Sequence, residues 1–94
     1  QAQSNEVTAR LRQQIAIAEQ SLKSVKLYQT AILPQAKLTV ESALAAYQVN
    51  RVDFLTLLDN QMTVFDFETS LITAMANYNK AVAEIDLLAG KKQH

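Results

Sequence analysis

The chain has 94 residues, of which 49% are hydrophobic, and it contains one glycine, one proline and no cysteine. This composition is typical of long helices and coiled coils rather than of sheet proteins, and the lack of cysteine excludes a disulfide framework and a thiolate metal site. The formal net charge is zero, but residues 1–50 carry five basic and three acidic groups, whereas residues 51–90 carry two basic and six acidic groups. No basic stripe suited to phosphate neutralisation is present, so nucleic acid is not an expected partner.

The first predicted helix covers about residues 4–49. Ser4 or Asn5 is expected to cap its start, with Glu6 in the first turn. Its apolar residues first follow heptad spacing and then recur mostly every fourth residue, which moves the apolar face around the helix. These residues are Leu11, Ile15, Ala18, Leu22 and Val25, followed by Tyr28, Ile32, Ala36, Val40, Leu44 and Tyr47.

Pro34 lies inside this helical pattern. It removes one backbone hydrogen bond and disfavours helical geometry at Leu33. Because no turn-forming residues flank it, we expect a continuous helix that is kinked near Pro34, with a break into two helices as the alternative.

A chain reversal is predicted at about residues 50–53. Asn50 accepts the left-handed conformation that ends many helices, and Asp53 is a favoured residue for the start of the next helix. The apolar residues around this tip exceed what one terminal turn can bury, which argues for a partner there. They are Val49, Val52, Phe54, Leu55, Leu57 and Leu58.

The second predicted helix covers about residues 54–89. It carries two displaced apolar stripes, and Gly90 is expected to cap its end, followed by Lys91 and Lys92. The first stripe contains Leu55, Leu58, Met62 and Phe65, and the second contains Leu71, Met75, Tyr78, Val82 and Ile85. Met62 and Met75 are interpreted as core residues rather than copper ligands, because thioethers commonly fill cores.

Together these elements predict an all-α fold, a long antiparallel helical hairpin of the coiled-coil type. A hairpin of this size has too few layers to bury a large core alone. No catalytic constellation is present: Asp66 and Glu68 lie on different helix faces, and the only histidine, His94, lies in the predicted tail. The chain is therefore expected not to be an enzyme and to hold no cofactor and no metal.

The tip sequence resembles that of the TolC-like outer membrane efflux proteins. Their periplasmic hairpins carry a Tyr-x-x-Gly tip and a Leu-Asp-Ala-like segment, which read here Tyr47-Gln48-Val49-Asn50 and Leu58-Asp59-Asn60-Gln61. The flanking Ile32-Leu33-Pro34-Gln35-Ala36 and the closing Leu88-Ala89-Gly90 look similar to the heavy-metal and cation efflux branch. The resemblance covers roughly residues 28–90.

This resemblance implies that the chain is a fragment of a longer channel subunit in a Gram-negative outer membrane. In such families three subunits form one helical periplasmic tunnel, which receives metal cations or drugs from an inner membrane pump through a periplasmic adaptor protein that docks at the hairpin tips. The membrane is contacted only through a barrel that this segment lacks. The expected partners are therefore two further copies, an adaptor and a pump.

The resemblance also implies roles for single residues. Asn50 stands at the family's tip glycine, close to where an adaptor docks, and Tyr47 matches a tyrosine that helps to hold the entrance closed. The arginine partner of that tyrosine aligns with Val52, with Arg51 one place away. Asp59 matches an acidic residue that faces the pore at its narrowest point, where a ring of three carboxylates would favour cations.

Two other interpretations remain open from the sequence. The first alternative is the coiled-coil hairpin of a periplasmic adaptor, although such hairpins are expected between lipoyl-like segments and carry a different tip motif. It is also compatible with a structural coiled-coil oligomerisation module that has no transport role. If the chain is not part of a channel, Asp59 is a solvated charge and Tyr47 only covers the apolar end of the hairpin.

Overall fold

The computed structural model describes the backbone of residues 2–93 and the side chains of residues 5–90. Within this part the chain consists of α1 (Ala2–Leu27), a π-helical segment (Tyr28–Ile32), α2 (Leu33–Gln48) and α3 (Phe54–Gln93), with no strand. The predicted all-α helical hairpin is confirmed: α1, the π-helical segment and α2 form the first arm, and α3 forms the second. Across residues 2–93, no helix combines the length and apolar character needed to cross a membrane.

The first arm is continuous through Pro34, so the alternative of a break is wrong. Ile32 (φ −67°, ψ −50°) and Leu33 (φ −66°, ψ −47°) are both helical, and the Leu33 N–H bonds to the carbonyl of Tyr28, five residues back. The proline ring would clash with the carbonyl of Thr30 in a regular α-helix, and the wider π turn gives that carbonyl room. The kink itself stays a prediction, whereas the π-helical segment was not expected from the sequence.

Both predicted outer helix ends are wrong. The first helix begins at Ala2, so Ser4 and Asn5 lie inside it instead of capping it. α3 continues through Gly90, whose φ is not positive, to Gln93. Glycine permits a left-handed cap but does not impose one, and the alanine, glutamine and lysine residues near both ends favour helix. The side chains of Lys91 and Lys92, and all of His94, lie outside the described residues.

The chain divides into two compact units. One of them, here called the tip unit, is Lys26–Ile72. Its interior contains Leu33, Ala36 and Ala43 from the first arm and Leu57 from α3. Tyr28 packs against Phe67, and Tyr47 packs against Phe54, each with ring centroids 6.1 Å apart. Residue numbers rise along one arm as they fall along the other, so the two arms of the tip unit are antiparallel.

The second unit contains the remainder of both arms. Its buried residues are mostly small and come from both helices: Ala18, Ser21, Ala74, Ala81 and Leu88. Ala81, at 1% exposed, is the most deeply buried of them. Small residues let helix backbones approach closely, but they leave the larger side chains on neighbouring helical positions outside.

The interpretation of the two methionines as core residues is wrong for the chain taken alone. Met62 in the tip unit is 57% exposed, and Met75 in the second unit is 43% exposed. The buried positions of the same helix are taken by Leu57, Ala74, Ala81 and Leu88. The inward face of α3 therefore carries both alanine and leucine, and the two methionines lie outside it.

Candidate functional site: the hairpin tip and the outer edge of α3

Asn50 ends the first arm in the conformation expected from the sequence. It has φ 61°, the only positive φ among the non-glycine residues described. Its N–H donates to the carbonyl of Tyr47 (3.0 Å), and the Arg51 N–H donates to the carbonyl of Ala46 (2.8 Å). These two bonds and the left-handed residue form a Schellman motif, in which Asn50 occupies the position usually held by glycine. The prediction that Asn50 ends this helix is confirmed.

Asp53 starts α3, as expected. Its Oδ1 accepts hydrogen bonds from the backbone N–H (2.9 Å) and the hydroxyl (2.7 Å) of Thr56. The hydroxyl of Thr56, followed by its N–H, lowers the pKa of the Asp53 carboxyl below its ordinary value, because both donors favour the charged form. The carboxylate also lies at the positive end of the helix dipole. The turn is therefore fixed by capping at both of its ends.

Four of the five predicted site residues line one open depression at the tip. These four residues, here called the tip cluster, are Tyr47, Asn50, Arg51 and Val52, and Asp53 and Thr56 complete the lining. Tyr47 is 38% exposed, and its ring packs on Phe54 at an interplanar angle of 57°. This contact fits the interpretation that Tyr47 covers the apolar end, and a role in closing an entrance stays a prediction.

Asp59, the fifth predicted residue, lies apart from the tip cluster on an exposed turn of α3. It follows the buried Leu57 by two positions, which places it about 200° around the helix from Leu57. Its carboxylate is therefore directed away from the first arm of its own tip unit. This position suits a charge that faces solvent or a pore, and the pore itself stays a prediction.

A heptad seam of mostly exposed residues runs along the outer edge of α3 in the tip unit. Its residues, here called the α3 seam, alternate at spacings of three and four: Leu55, Leu58, Met62, Phe65, Thr69 and Ile72. Leu55 is 65% exposed, Phe65 is 68% exposed and Ile72 is 66% exposed. Such spacing is that of coiled-coil contacts, which normally pack against another helix. The sequence predicts part of this stripe but not that it faces outward.

The seam is nearly free of unpaired polar groups. Thr69, its only polar member, donates its hydroxyl to the carbonyl of Phe65 (3.0 Å). Burial of a hydroxyl is costly only when it loses its hydrogen bonds. Thr63 on the same helix similarly bonds to the carbonyl of Asp59 (3.0 Å). The α3 seam itself can therefore be desolvated at low cost.

A groove of about 310 Å³ lies between the arms of the tip unit. Its lining is largely apolar, and the hydroxyls of Thr39 and Thr63 that border it are hydrogen-bonded to their own helices. The lining residues are Ile32, Gln35, Ala36, Thr39, Asn60, Thr63 and Phe67. The groove has the size of a hole for a few side chains of a neighbouring helix.

Some residues of the site were not identified from the sequence. Thr56 is one of them, and it is the hydrogen-bond partner of Asp53. The signal was available, because a capping residue bonds to the residue three places later. Phe54, which supports Tyr47, was assigned only to the apolar tip surface. Among the side chains that the structure describes, no group of three histidine or acidic residues could hold a metal ion.

Comparison with known proteins identifies no relative of this chain: no family model, no curated protein and no solved structure matches it.

Proposed function

We propose that this chain is the periplasmic hairpin of a TolC-like outer membrane efflux channel subunit. In this proposal three subunits place their hairpins side by side and form the wall and the entrance of a tunnel. The hairpin contributes no catalysis. It supplies packing surfaces, a docking tip and one charged residue at the entrance.

The proposal is supported above all by the distribution of apolar side chains. The interior is formed mostly by alanine, while large apolar residues stay more than half exposed on the outer surface, as Leu55, Phe65 and Ile72 do. Each fully buried large side chain contributes roughly 1.5–3 kcal/mol, and the isolated hairpin leaves this contribution unused on its outer edge. A tunnel wall, in which each hairpin has neighbours on both sides, would bury these residues.

The geometry of the tip supports the correspondence with the family's Tyr-x-x-Gly motif. The position that aligns with the family's glycine is the one described residue other than glycine with a positive φ. A left-handed residue is needed here to end the helix, which explains why glycine or asparagine stands at this place. Under the proposal the tip cluster of Tyr47, Asn50, Arg51 and Val52 is the surface that the periplasmic adaptor contacts.

Asp59 supplies the electrostatic part of the proposal. Its side chain is exposed and turned away from its own first arm. Three such carboxylates around a narrow opening would attract cations and repel anions. Metal cations or cationic drugs are therefore the cargo that this entrance favours.

A second candidate function is a structural oligomerisation module without a transport role. The exposed α3 seam favours it, because the seam requires only a partner helix and not a tunnel. In that case Asp59 would be a solvated surface charge, and the tip cluster would have no adaptor to bind.

Fractionation of the cells that produce the protein separates the two candidates. Antibodies raised against the purified 94-residue chain would be used on inner membrane, outer membrane and soluble fractions resolved on a density gradient. The channel proposal predicts a signal in the outer membrane fraction, in a protein longer than this chain. A signal confined to the soluble fraction would refute it and favour the oligomerisation module.

A further inference from the structure

We propose that the groove between the arms of the tip unit binds a small aromatic cation. This inference deepens the proposed function, because it assigns an organic class to the cations that the channel would receive, and it rests on that function for the role of the ligand as cargo. The binding site itself follows from the shape of the groove, its aromatic wall and the charges beside it.

The groove has room for one small ring system. Its volume of about 310 Å³ lies at the lower end of the range of about 300–1,000 Å³ that ligand pockets occupy. Ala36 is buried between the arms, and its side chain ends at Cβ, so the space above it stays open. Ile32 and Phe67 are half-buried and add apolar walls. Burial of a flat aromatic ring in this space is favourable, whereas burial of a small hydrated ion is not.

Phe67 supplies an aromatic surface to the groove. Its ring centroid lies 6.1 Å from that of Tyr28, and the two rings are tilted by 53° rather than stacked. The contact with Tyr28 holds the Phe67 ring from the side of the first arm. A cationic ring that packs on Phe67 gains apolar contact and cation–π attraction, and a neutral ring of the same shape gains only the first.

Two carboxylates lie beside the groove on its α3 side. Thr63 lines the groove, Asp59 precedes it by four positions and Asp66 follows it by three. Side chains at these spacings are neighbours on the surface of a helix. Both aspartates are exposed, and the Thr63 hydroxyl donates to the backbone carbonyl of Asp59 (3.0 Å) and not to its carboxylate. The α3 side of the groove is therefore negatively charged.

The charged residues of α2 face elsewhere. Lys37 and Glu41 follow the groove residues Gln35 and Thr39 by two positions each. A step of two positions turns by about 200° around a helix, so both charges are directed away from the groove. Residues 53–72 of α3 contain no lysine or arginine. Charge complementarity therefore selects a cation as the occupant.

The remaining polar groups favour an organic cation over a metal ion. The side chains of Gln35 and Asn60 line the groove, and an amide can accept a hydrogen bond from an amino group. Among the described side chains, no group of three histidine or acidic residues could hold a metal ion. The ligand class that fits is thus a flat aromatic ring system with a positive charge and amino substituents.

The experiment is a titration of proflavine into the purified 94-residue chain, followed by fluorescence anisotropy. Proflavine is a planar cation of three fused rings with two amino groups, and 9-anthracenecarboxylate, an anion of three fused rings, is the matched compound. We expect one proflavine to bind per chain, about tenfold more tightly than the anion. The affinity for proflavine should fall as salt is added, because exposed charges are screened.

Paired variants make the result specific to the groove. Asp66→Asn should weaken proflavine binding about threefold. Glu68→Gln removes an equal charge from the same turn and should leave binding unchanged, because Glu68 lies five positions after Thr63, about 140° around the helix. Both carboxylates are exposed, and far-UV circular dichroism checks that both variants stay helical.

A second pair blocks the groove without altering the core. Thr63→Arg places a tethered cation beside Asp59 and Asp66, and it should abolish proflavine binding. Gln61→Arg adds the same charge two positions earlier, on the opposite side of α3, and should leave binding nearly unchanged. Thr63 and Gln61 are both exposed, so neither substitution removes buried packing.

Three results would overturn the proposal. The first is the absence of saturable proflavine binding at millimolar concentration. The second is binding that Thr63→Arg leaves undiminished, because the ligand would then lie outside the groove. The third is equal weakening by Asp66→Asn and Glu68→Gln, because it would show attraction by the net charge of α3 alone.

The outcome can be separated from the test of the proposed function. A protein that is found in the outer membrane fraction but binds no proflavine would refute the groove and leave the channel untouched. A protein that binds proflavine but is confined to the soluble fraction would refute the channel and leave the groove as a binding site.

Discussion

Replacement of Asn50 by alanine should destabilise the hairpin by about 1 kcal/mol. Asn50 has φ 61°, and an L-residue with a Cβ pays roughly 1–2 kcal/mol in the left-handed region. Asparagine pays less than alanine, because its short polar side chain can form local hydrogen bonds. The side chain is exposed, so the substitution removes no packing, and the cost is that of the backbone conformation alone.

The companion substitution Asn50→Gly should have the opposite sign or no effect. Glycine occupies the left-handed region without a steric penalty, although it loses more conformational freedom on folding. The expected order of stability is therefore glycine, asparagine, alanine. A cost of 1 kcal/mol corresponds to a melting temperature lower by about 4–8 °C for a domain of 60–100 residues.

Urea unfolding followed by far-UV circular dichroism measures these differences. Protein concentration is held constant across the variants, because self-association raises apparent stability. Gln48→Ala is the matched control, since Gln48 is exposed two residues earlier and lies within α2. An Asn50→Ala variant as stable as the wild type, with an unchanged urea dependence, would refute the left-handed cap as the element that ends the first arm.

Substitutions at three further positions test other features of the fold. Asp53→Ala should lower the melting temperature at neutral pH and Asp53→Asn should not, because both Asp and Asn cap helices. Since the pKa of Asp53 is lowered on folding, its contribution should be full above the ordinary aspartate pKa and disappear as the pH falls through the folded value. Gly90→Ala should raise the free energy of unfolding by up to about 1 kcal/mol, because apart from its chain neighbours and its own helix backbone no atom lies within 4 Å of the added Cβ; a lower melting temperature would contradict this. Pro34→Ala should stabilise the first arm by at most about 3 kcal/mol and turn the π-helical segment into α-helix, as a crystal structure of the variant would show.

The turn could be predicted because its information is local. Asn50 and Asp53 act through their own backbone preferences and through hydrogen bonds to residues at most four places away. Such chemistry is readable in a short segment whatever surrounds it. The same local rules failed at Gly90 and Ser4, because a residue that can end a helix does so only when continuing it is less favourable.

The choice of the buried face could not be predicted from hydrophobicity. α3 has several apolar stripes, and its buried residues, Leu57, Ala74, Ala81 and Leu88, belong to neither of the two predicted stripes. Close approach of two backbones favours small residues at the contact, whereas a hydrophobic pattern alone favours burial of Met62 and Phe65. Which stripe faces inward depends on the register of both arms, and this property is distributed over the whole hairpin.

In the candidate site, too, the locally determined part could be predicted and the part that depends on distant residues could not. The tip cluster follows from the turn, so all four of its residues could be named in advance and are found together. The role of Asp59 depends on neighbouring subunits, and no property of a single hairpin determines which exposed face lines a pore. The α3 seam was missed as an outer surface for the same reason.

Ion selectivity tests most directly whether this hairpin forms the entrance of a cation-favouring channel. The channel subunit that contains the hairpin would be reconstituted in planar bilayers, and reversal potentials would be measured across a salt gradient for the wild type, Asp59→Asn and the control Glu84→Gln. We expect a cation-selective pore whose selectivity falls in Asp59→Asn and is unchanged in the control. A protein that forms no pore, or a pore whose selectivity is the same in all three proteins, would contradict it.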